Sequence, residues 1–339
     1  MKKIKLGIIG LGRLGRKHAE NIYYNIPEAE LSAICSVVPE ELDTVKREMS
    51  PDMVSGSYEE LIRSKELDGL VVSTNSQTHC EIICAAAEAG VKNVYTEKPL
   101  GMSFEEINKI KDAVESNPGM KLQVGYNHRF DADLRAVKEK IDAGYVGNVV
   151  LIRMASRDQL WDEEQLVKFS PSSGGLVADM MTHDYDTARW LTGSEADTIF
   201  GLGDVYAYEG LKAVGDIDNA VLLMKFKNGV MVQLEGSRNS AVGYHAPLEV
   251  FGSKGSISVG DHAYSSRITW LDEAGAHRDY TQWFFEYWEP TYLAELKDFV
   301  DSIMENRPPL VGLYDGYKAV EWAFVAAKAL EKGEIVKMG

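Results

Sequence analysis

Short apolar runs alternate with helix-compatible segments through the first third of the chain. Five runs rich in isoleucine, valine and leucine predict β-strands, and they lie at residues 4–10, 31–37, 70–73, 91–95 and 122–124. Four helix-compatible segments lie between them, at 13–24, 39–49, 79–90 and 103–115. Strands that alternate with helices form βαβ units, so this region predicts a doubly wound parallel sheet with helices on both faces.

The pattern changes near residue 126. After a helix at 131–144, the predicted strands alternate in polarity and are separated by turns, of which Lys227-Asn228-Gly229 is the clearest. These strands predict an antiparallel meander, and they lie at 219–225, 230–234, 248–251, 256–259 and 268–271. The remaining predicted elements are a glycine-rich loop at 170–175 and helices at 176–191, 291–305 and 314–332.

The composition is that of a globular protein long enough for two domains: 339 residues, 45% of them apolar and 26% charged. A formal net charge of -16 disfavours binding to nucleic acids or anionic membranes. No apolar stretch is long enough for a transmembrane helix, and no secretory signal is recognisable. Three cysteines are too few for a disulfide framework, so we expect a cytoplasmic protein. Cys80, Cys84 and His79 offer too few ligands for structural zinc, and we predict no metal site.

A glycine loop, Gly10-Leu11-Gly12-Arg13-Leu14-Gly15, joins the first predicted strand to the first predicted helix. In this context the pattern is typical of dinucleotide binding, because glycines allow a tight turn and a close approach of the backbone to a pyrophosphate. The free N–H groups at the start of the helix favour negative charge. We therefore expect cofactor contacts from Gly10, Gly12, Arg13, Leu14 and Gly15.

The second predicted strand carries Ser36 where dinucleotide-binding folds often place an acidic residue that binds ribose. The sequence therefore leaves both NAD and NADP open, with NAD slightly favoured. We predict a Rossmann dinucleotide-binding domain at 1–125. A substrate-binding and oligomerisation domain at 126–339 would be α+β, with an open, largely antiparallel sheet and a C-terminal helix able to pack back on the first domain.

Two further motifs carry side chains suited to catalysis. Thr96-Glu97-Lys98-Pro99-Leu100 follows the fourth predicted strand, and ligands of open α/β sheets bind beyond the carboxyl ends of the strands. Gly174-Gly175 precedes a predicted helix on which Asp179 and His183 are four residues apart and share one face. A carboxylate beside a histidine can fix the tautomer of the imidazole and favour its protonated form.

In this order and spacing, the glycine loop, the Glu97-Lys98-Pro99 motif and the helix bearing Asp179 and His183 resemble the Gfo/Idh/MocA oxidoreductases. The resemblance covers nearly the whole chain and is greatest to the inositol dehydrogenases of that family. Further similar segments lie at 123–131, 156–158, 215–218 and 249–255.

The resemblance implies an enzyme that oxidises a hydroxyl of a cyclitol with NAD or NADP. It implies a catalytic group of Lys98, Asp179 and His183, with His183 as the general base, Asp179 orienting it and Lys98 between the cofactor ribose and the substrate hydroxyl. Glu97 would contact the nicotinamide ribose, and the Lys98–Pro99 bond would be cis. Further cofactor contacts are expected from Ser36, Thr74, Asn75 and His79, and substrate contacts from Asn127, His128, Asp158, Asp186 and Tyr244.

Three other functions are compatible with the sequence. A sugar or amino-sugar dehydrogenase would use the same catalytic group, a regulator would bind the cofactor without turnover, and a tightly bound cofactor could be recycled between two substrates. Aromatic residues at 283–292 predict a packing surface between domains or subunits, or alternatively a ligand-stacking site. An open sheet with an apolar outer face predicts a homodimer or homotetramer. The expected partners are a small polyhydroxylated substrate and other copies of this chain.

Overall fold

Two units make up the structure, a computed structural model that describes residues 3–260, 265–266 and 268–338. The first unit contains the chain up to Asn127 together with Thr291–Val320. The second contains His128–Pro290 and the residues from Glu321 onward. The chain therefore passes from the first unit to the second, returns to the first at Thr291 and enters the second again at Glu321. The division into functional domains at residue 125, with a C-terminal helix able to pack back on the first domain, stays a prediction.

A parallel sheet forms the centre of the first unit. Its strands are β1 (Ile4–Ile9), β2 (Ala29–Cys35), β3 (Met53–Ser55), β4 (Gly69–Val72), β5 (Asn93–Thr96) and β6 (Lys121–Val124). They lie in the order β3-β2-β1-β4-β5-β6, and every neighbouring pair is parallel. This order confirms the predicted doubly wound sheet, which binds ligands where the strand order reverses, between β1 and β4. The three-residue strand β3 is absent from the prediction because so short a run has no clear periodicity.

Most α-helices of the first unit were predicted; the short helix Tyr58–Arg63 was not, and the predicted helix 13–24 is an α-helix to Glu20 followed by a π-helical turn, Asn21–Asn25. In chain order the α-helices are α1 (Arg13–Glu20), α2 (Pro39–Met49), α3 (Tyr58–Arg63), α4 (His79–Glu88), α5 (Phe104–Glu115), α6 (Ala132–Asp142), α7 (Glu163–Ser173), α8 (Thr182–Thr192), α9 (Phe284–Tyr287), α10 (Glu289–Met304) and α11 (Leu313–Lys332). Within the described residues, none of them is long and apolar enough to cross a bilayer.

Helix α10 explains why the segment from Thr291 returns to the first unit. Its Leu296, Phe299 and Val300 are buried in the same apolar cluster as Leu6 and Ile8 of β1. Parallel strands are buried on both faces, so the sheet needs apolar helices on each side. The segment belongs to the first unit because this apolar face of α10 is buried there.

A mixed sheet forms the centre of the second unit. Its strands are β7 (Val149–Gln159), β8 (Ala196–Asp204), β9 (Asn219–Phe226), β10 (Met231–Ser240), β11 (Leu248–Gly252), β12 (Ser256–Val259) and β15 (Val336–Lys337), and a separate hairpin pairs β13 (Trp270–Asp272) with β14 (Gly275–His277). The order of the large sheet is β12-β11-β7-β10-β9-β8-β15. All its neighbours are antiparallel except β7 and β10, which are parallel.

The predicted meander is therefore correct for two hairpins and wrong as a whole. The β9–β10 hairpin turns through Asn228-Gly229, where Gly229 has a φ of 92°, and β11 pairs with β12 as expected. Between the two hairpins lies β7, a long strand that the prediction omits. The predicted strand at 268–271 overlaps β13, whose only strand partner among the described residues is β14. The sheet is largely antiparallel, as predicted.

Two predicted elements around the paired glycines need correction. Residues 170–173 are not a loop but the last turn of α7, where the Ser170 hydroxyl donates a hydrogen bond to Asp216. The predicted helix at 176–191 is divided into a π-helical turn, Leu176–Met180, and α8. Gly175 has a φ of 74°, and an added Cβ would collide with the Asp216 carboxylate. Two glycines with positive φ allow this turn, and the Asp216 carboxylate holds it by accepting a hydrogen bond from the N–H of Leu176.

The turn from β1 to α1 depends on two different properties of glycine. Gly10 has a φ of 92°, and its N–H donates a hydrogen bond to the carbonyl of Cys35. Gly15 lies in α1 beside the carbonyl oxygen of Gly10, which an added Cβ would strike. A Cβ on Gly12 would have no atom within 4 Å. Gly15 thus serves close packing, whereas Gly12 leaves open space in front of the helix.

We expect Gly15→Ala to lower the free energy of unfolding by about 1–3 kcal/mol, because the backbone of the loop must shift to admit the methyl group. Gly12→Ala is the matched control: its added Cβ meets no atom, so it should lose only the preference for glycine over alanine at the helix N-cap, about 0.5 kcal/mol. Urea unfolding of both variants would measure the difference from the midpoint at constant slope. Equal stability of the two variants would contradict the packing role of Gly15.

Candidate functional site

The glycine loop forms one wall of a cavity of about 500 Å³ in the first unit. A cavity of this size suits a cofactor-sized ligand. Seven of the predicted cofactor residues line it: Gly10, Gly12, Arg13, Leu14, Ser36, Thr74 and Asn75. The open space in front of Gly12 lies at the N-terminus of α1, where free N–H groups favour a pyrophosphate. The residues present therefore fit a dinucleotide.

An acidic residue that the sequence analysis overlooked lines the same cavity. Ser36 donates a hydrogen bond from its hydroxyl to Oε2 of Glu41, at 2.5 Å, and its Oγ accepts one from the N–H of Val38. Glu41 lies in the first turn of α2, five residues beyond the strand position where an acid was sought. The sequence Pro39-Glu40-Glu41 could have indicated this residue, because acidic residues in the first turn of a helix lie near the end of the strand that precedes it.

Glu97 is buried inside the first unit rather than displayed on its surface. Its Oε1 lies 2.6 Å from Nε2 of His18 and accepts a hydrogen bond from the Tyr95 hydroxyl at 2.8 Å. Burial opposes its ionisation, but the hydrogen bonds and charge of these neighbours and the charge of Lys98 hold its pKa below the usual value. Glu97 is thus a buried anion that anchors the loop after β5. A contact with ribose remains a prediction.

Lys98 and His79 lie on either side of the following turn. The Lys98–Pro99 peptide bond is cis, which confirms that prediction, and Lys98 itself is half-buried. His79 is fully buried, with Nδ1 2.8 Å from the carbonyl oxygen of Pro99 and Nε2 3.2 Å from that of Thr74. Burial lowers the pKa of His79, against the opposing effect of the two carbonyl oxygens that face its ring nitrogens. His79 thus connects the loop after β4, which contains Thr74, to the loop after β5, which contains Pro99.

Asn127, a predicted substrate residue, lies at the end of the first stretch of this unit. It is buried, and its Nδ2 donates a hydrogen bond to the Thr291 hydroxyl at 2.8 Å. This contact ties the segment after β6 to the start of the returning helix α10.

In the second unit, Arg238 joins two predicted site carboxylates. This arginine of β10 is almost completely buried, and its Nη2 donates a hydrogen bond to Oδ2 of Asp179 at 2.9 Å. Its Nη1 lies 3.7 Å from Oδ2 of Asp158. The π-helical turn carries Asp179 and α8 carries His183, so the predicted single helix face does not describe their placement. The role of Arg238 was not predicted, because 59 residues separate it from Asp179 and no local pattern links the two.

A stack of rings supports His183. The imidazole of His128 lies against that of His183, with ring centres 4.5 Å apart, and against the indole of Trp288 at 4.0 Å. The Trp288 N–H donates a hydrogen bond to the Tyr244 hydroxyl at 2.8 Å. His128, Tyr244 and Trp288 are all buried. Trp288 of the aromatic cluster therefore packs within the second unit, behind the predicted general base.

Two aspartates of α8 lie on its buried side. Asp186, a predicted substrate ligand, accepts two hydrogen bonds from the guanidinium of Arg129, at 2.8 and 2.6 Å. Asp184 accepts one from the Ser156 hydroxyl at 2.9 Å, and its second oxygen has no hydrogen-bond partner among the described residues. Burial raises the pKa of Asp184 to about 7, against the opposing effect of Ser156. The neighbours of His183 are thus held by buried polar contacts.

Two family descriptions match the sequence. An oxidoreductase family described as an NAD-binding Rossmann fold matches residues 4–126, and the GFO/IDH/MocA C-terminal domain matches residues 134–258. The first match covers the strands, glycine loop and cavity of the first unit. The second covers Asp158, Asp179, His183 and Arg238.

Relatives of known name are similar over the whole length. The chain is 33% identical to the myo-inositol 2-dehydrogenase of Thermotoga maritima, covering 99% of this chain and 98% of the relative. It is 30% identical to the scyllo-inositol 2-dehydrogenase (NAD(+)) of Bacillus subtilis, covering 99% and 96%. The solved structure of scyllo-inositol dehydrogenase from Lactobacillus casei with bound NAD(H) and scyllo-inositol superposes with a TM-score of 0.93, at 35% identity over 99% of both chains. This chain therefore belongs to the Gfo/Idh/MocA family of NAD-binding oxidoreductases.

Proposed function

We propose that this protein is a dehydrogenase that uses NAD to oxidise a secondary hydroxyl of an inositol-type cyclitol to a ketone. The observation that carries the proposal is the presence of Lys98, Asp179 and His183 in a chain similar over its whole length to inositol dehydrogenases. A regulator that only binds a cofactor would not need this group.

The first unit supplies the cofactor side of the site. Bound NAD would accept the hydride that leaves the reacting carbon. Gly10, Gly12 and the N-terminus of α1 would hold its pyrophosphate, since they line the cavity and a helix N-terminus offers free N–H groups. Lys98 would place its ammonium beside the reacting hydroxyl and lower the energy of the developing alkoxide.

The second unit supplies the general base. His183 would take the hydroxyl proton as the carbon–oxygen double bond forms, and would become an imidazolium. Asp179 would stabilise that cation, and Arg238 would keep the Asp179 carboxylate in place. The stacked ring of His128 would restrict rotation of the His183 imidazole. Imidazole suits this role because it exchanges protons near neutral pH.

We expect NADH to form when the protein is given NAD and a cyclitol, with myo-, scyllo- and chiro-inositol as the first substrates. Lys98→Ala and His183→Ala should each reduce kcat/KM by about a thousandfold, since each removes a group that acts on the transferred proton or its oxygen. The measurement is the absorbance of NADH over time.

Two matched variants control for the loss of a lysine or a histidine. Lys328→Ala, on the exposed side of α11, and His277→Ala, in the separate hairpin, should retain full activity. If the protein oxidised glucose, xylose or N-acetylglucosamine but no cyclitol, it would be a sugar dehydrogenase that uses the same catalytic group. Tight NADH binding without turnover of any of these compounds would instead support a regulator.

We also propose that Glu41 makes the enzyme prefer NAD to NADP. Its carboxylate lines the cavity and is fixed by the Ser36 hydroxyl. An ionised carboxylate can accept hydrogen bonds from a ribose diol and repels a 2′-phosphate. Like charges about 4 Å apart repel by about 1–4 kcal/mol, depending on the effective dielectric constant.

Glu41→Gln should raise the ratio of kcat/KM for NADP to that for NAD at least about fivefold, because the repulsion is removed while the shape is kept. Glu40→Gln removes the same charge from the neighbouring exposed position and should leave the ratio unchanged. Initial rates with both cofactors would decide. An unchanged ratio in the Glu41 variant would show that the discrimination lies elsewhere.

The outer face of the mixed sheet supports a proposal of self-association. Leu202, Val221, Leu223 and Met231 alternate with buried residues on β8, β9 and β10, and their exposed fractions range from 40% to 62%. This patch is apolar where β8 pairs with β9 and is bordered by the polar Gln233 and Glu235 of β10. An exposed apolar patch favours a symmetric homodimer or homotetramer. Sedimentation should show such an oligomer, and Leu223→Asp should shift it towards monomer. A monomeric original protein would contradict the proposal.

We further propose that the protein works in the cytoplasm. Cys35, Cys80 and Cys84 are free thiols, as expected in a reducing compartment. Burial raises the pKa of Cys35 to about 11, which keeps this thiol unreactive. Cell fractionation would test the location.

A further inference from the structure

Three ionisable side chains meet inside the first unit: His18 of α1, Glu97 after β5 and Glu295 of α10. One nitrogen or oxygen atom from each lies within 4.8 Å of those from the other two. His18 and Glu295 are completely buried, and Glu97 is nearly so. Two carboxyl groups therefore share a space that water does not reach.

The two glutamates have different surroundings. Oε1 of Glu97 lies at hydrogen-bond distance from His18 and accepts a hydrogen bond from the Tyr95 hydroxyl. Its Oε2 faces Gly125, and a Cβ added to that glycine would lie only 3.0 Å from this oxygen. Among the described residues neither carboxyl oxygen of Glu295 has a hydrogen bond of ordinary length, and the Tyr95 hydroxyl that lies near it already donates to Glu97. A fully buried carboxylate without a partner would be very costly. Glu295 must therefore carry a proton or hold a ligand.

We propose that Glu295 is a positioning residue for the cofactor side of the site. One oxygen of Glu295 lies within 4.8 Å of a Glu97 oxygen, so a neutral Glu295 would direct its proton towards the Glu97 carboxylate and thereby hold the Glu97-Lys98-Pro99 turn in place. The inference rests on the proposed role of Lys98 beside the cofactor. Glu295 reaches the reaction only through Glu97, and it touches neither the cofactor nor the substrate.

The charge balance of the cluster favours this arrangement. Burial and the negative charge of Glu97 raise the pKa of Glu295 well above the ordinary value. The groups that face the pair are His18, Tyr95, Tyr292, Lys98 and Arg13, and the phenols of both tyrosines have pKa values raised well above the usual range, by burial first and then by the carboxyl groups. The cluster therefore favours a single negative charge, placed on Glu97 beside His18. A proton on Glu295 removes the second.

A bound cation is the competing explanation for the same three side chains. It would have to separate His18 from Glu97, since their distance of 2.6 Å is that of a direct hydrogen bond. It would also need both glutamates ionised. The hydrogen-bonded arrangement requires neither change, and the two explanations predict opposite effects of a neutral substitute at residue 295.

The test is a fluorescence titration of the full chain with NADH, which needs no cyclitol and so stands apart from the substrate assignment. Glu295→Gln keeps the shape of the side chain and a hydrogen-bond donor that can face Glu97. The Kd of this variant for NADH should stay within about threefold of the original value. Glu295→Leu removes the donor, and its Kd should rise about tenfold or more. Glu305→Gln, which removes the same charge at an exposed position just after α10, is the matched control.

Three further readouts separate positioning from general folding stability. The pH dependence of the NADH Kd should be the same in Glu295→Gln as in the original protein, since neither carries a charge there. In Glu295→Leu the KM for NAD should rise more than the KM for the second substrate. Elemental analysis of the purified protein should find no stoichiometric metal. Equal damage by Gln and Leu, or a metal ion present in the original protein and lost in Glu295→Gln, would overturn the proposal.

Discussion

Charged groups that are withdrawn from water must find partners inside the protein, and this requirement determines the buried polar contacts within each of the two units. In the second unit Arg238 meets Asp179 and Asp158, and Arg129 meets Asp186 through two hydrogen bonds. Removing one partner of such a buried pair costs far more than removing an exposed pair. Residues expected to contact substrate therefore also hold the scaffold together.

The same requirement explains why local sequence could predict the cofactor side well. The glycine loop, the strand before it and the helix after it are neighbours in the chain, so their geometry follows from local turn chemistry. The doubly wound sheet and the loop residues Gly10, Gly12, Arg13 and Leu14 were predictable on this basis, whereas the cis Lys98–Pro99 bond and the cavity positions of Ser36, Thr74 and Asn75 were implied by the family resemblance. Local patterns are sufficient where the interacting residues are close in sequence.

The second unit was harder to predict because its decisive contacts join distant residues. Strand β7 pairs in parallel with β10, which a chain of hairpins cannot anticipate, and Asp216 shapes the turn at Gly175 from 40 residues away. Trp288 was recognisable as part of an aromatic segment, but the sequence does not show that its indole stacks on His128. Residue types could be recognised there, whereas their partners could not.

Asp184 gives the second unit a proton-coupled folding reaction. The folded chain keeps a proton on this buried carboxyl up to a pH of about 7, whereas an unfolded chain releases it at the lower pH typical of aspartate. Unfolding near neutral pH is therefore accompanied by proton release. Because the folded pKa is the higher one, the stabilising contribution of this group is complete in acid and is lost as the pH rises through about 7. A carboxyl adjacent in sequence to the proposed base thus makes mild acidity favourable to the fold that carries it.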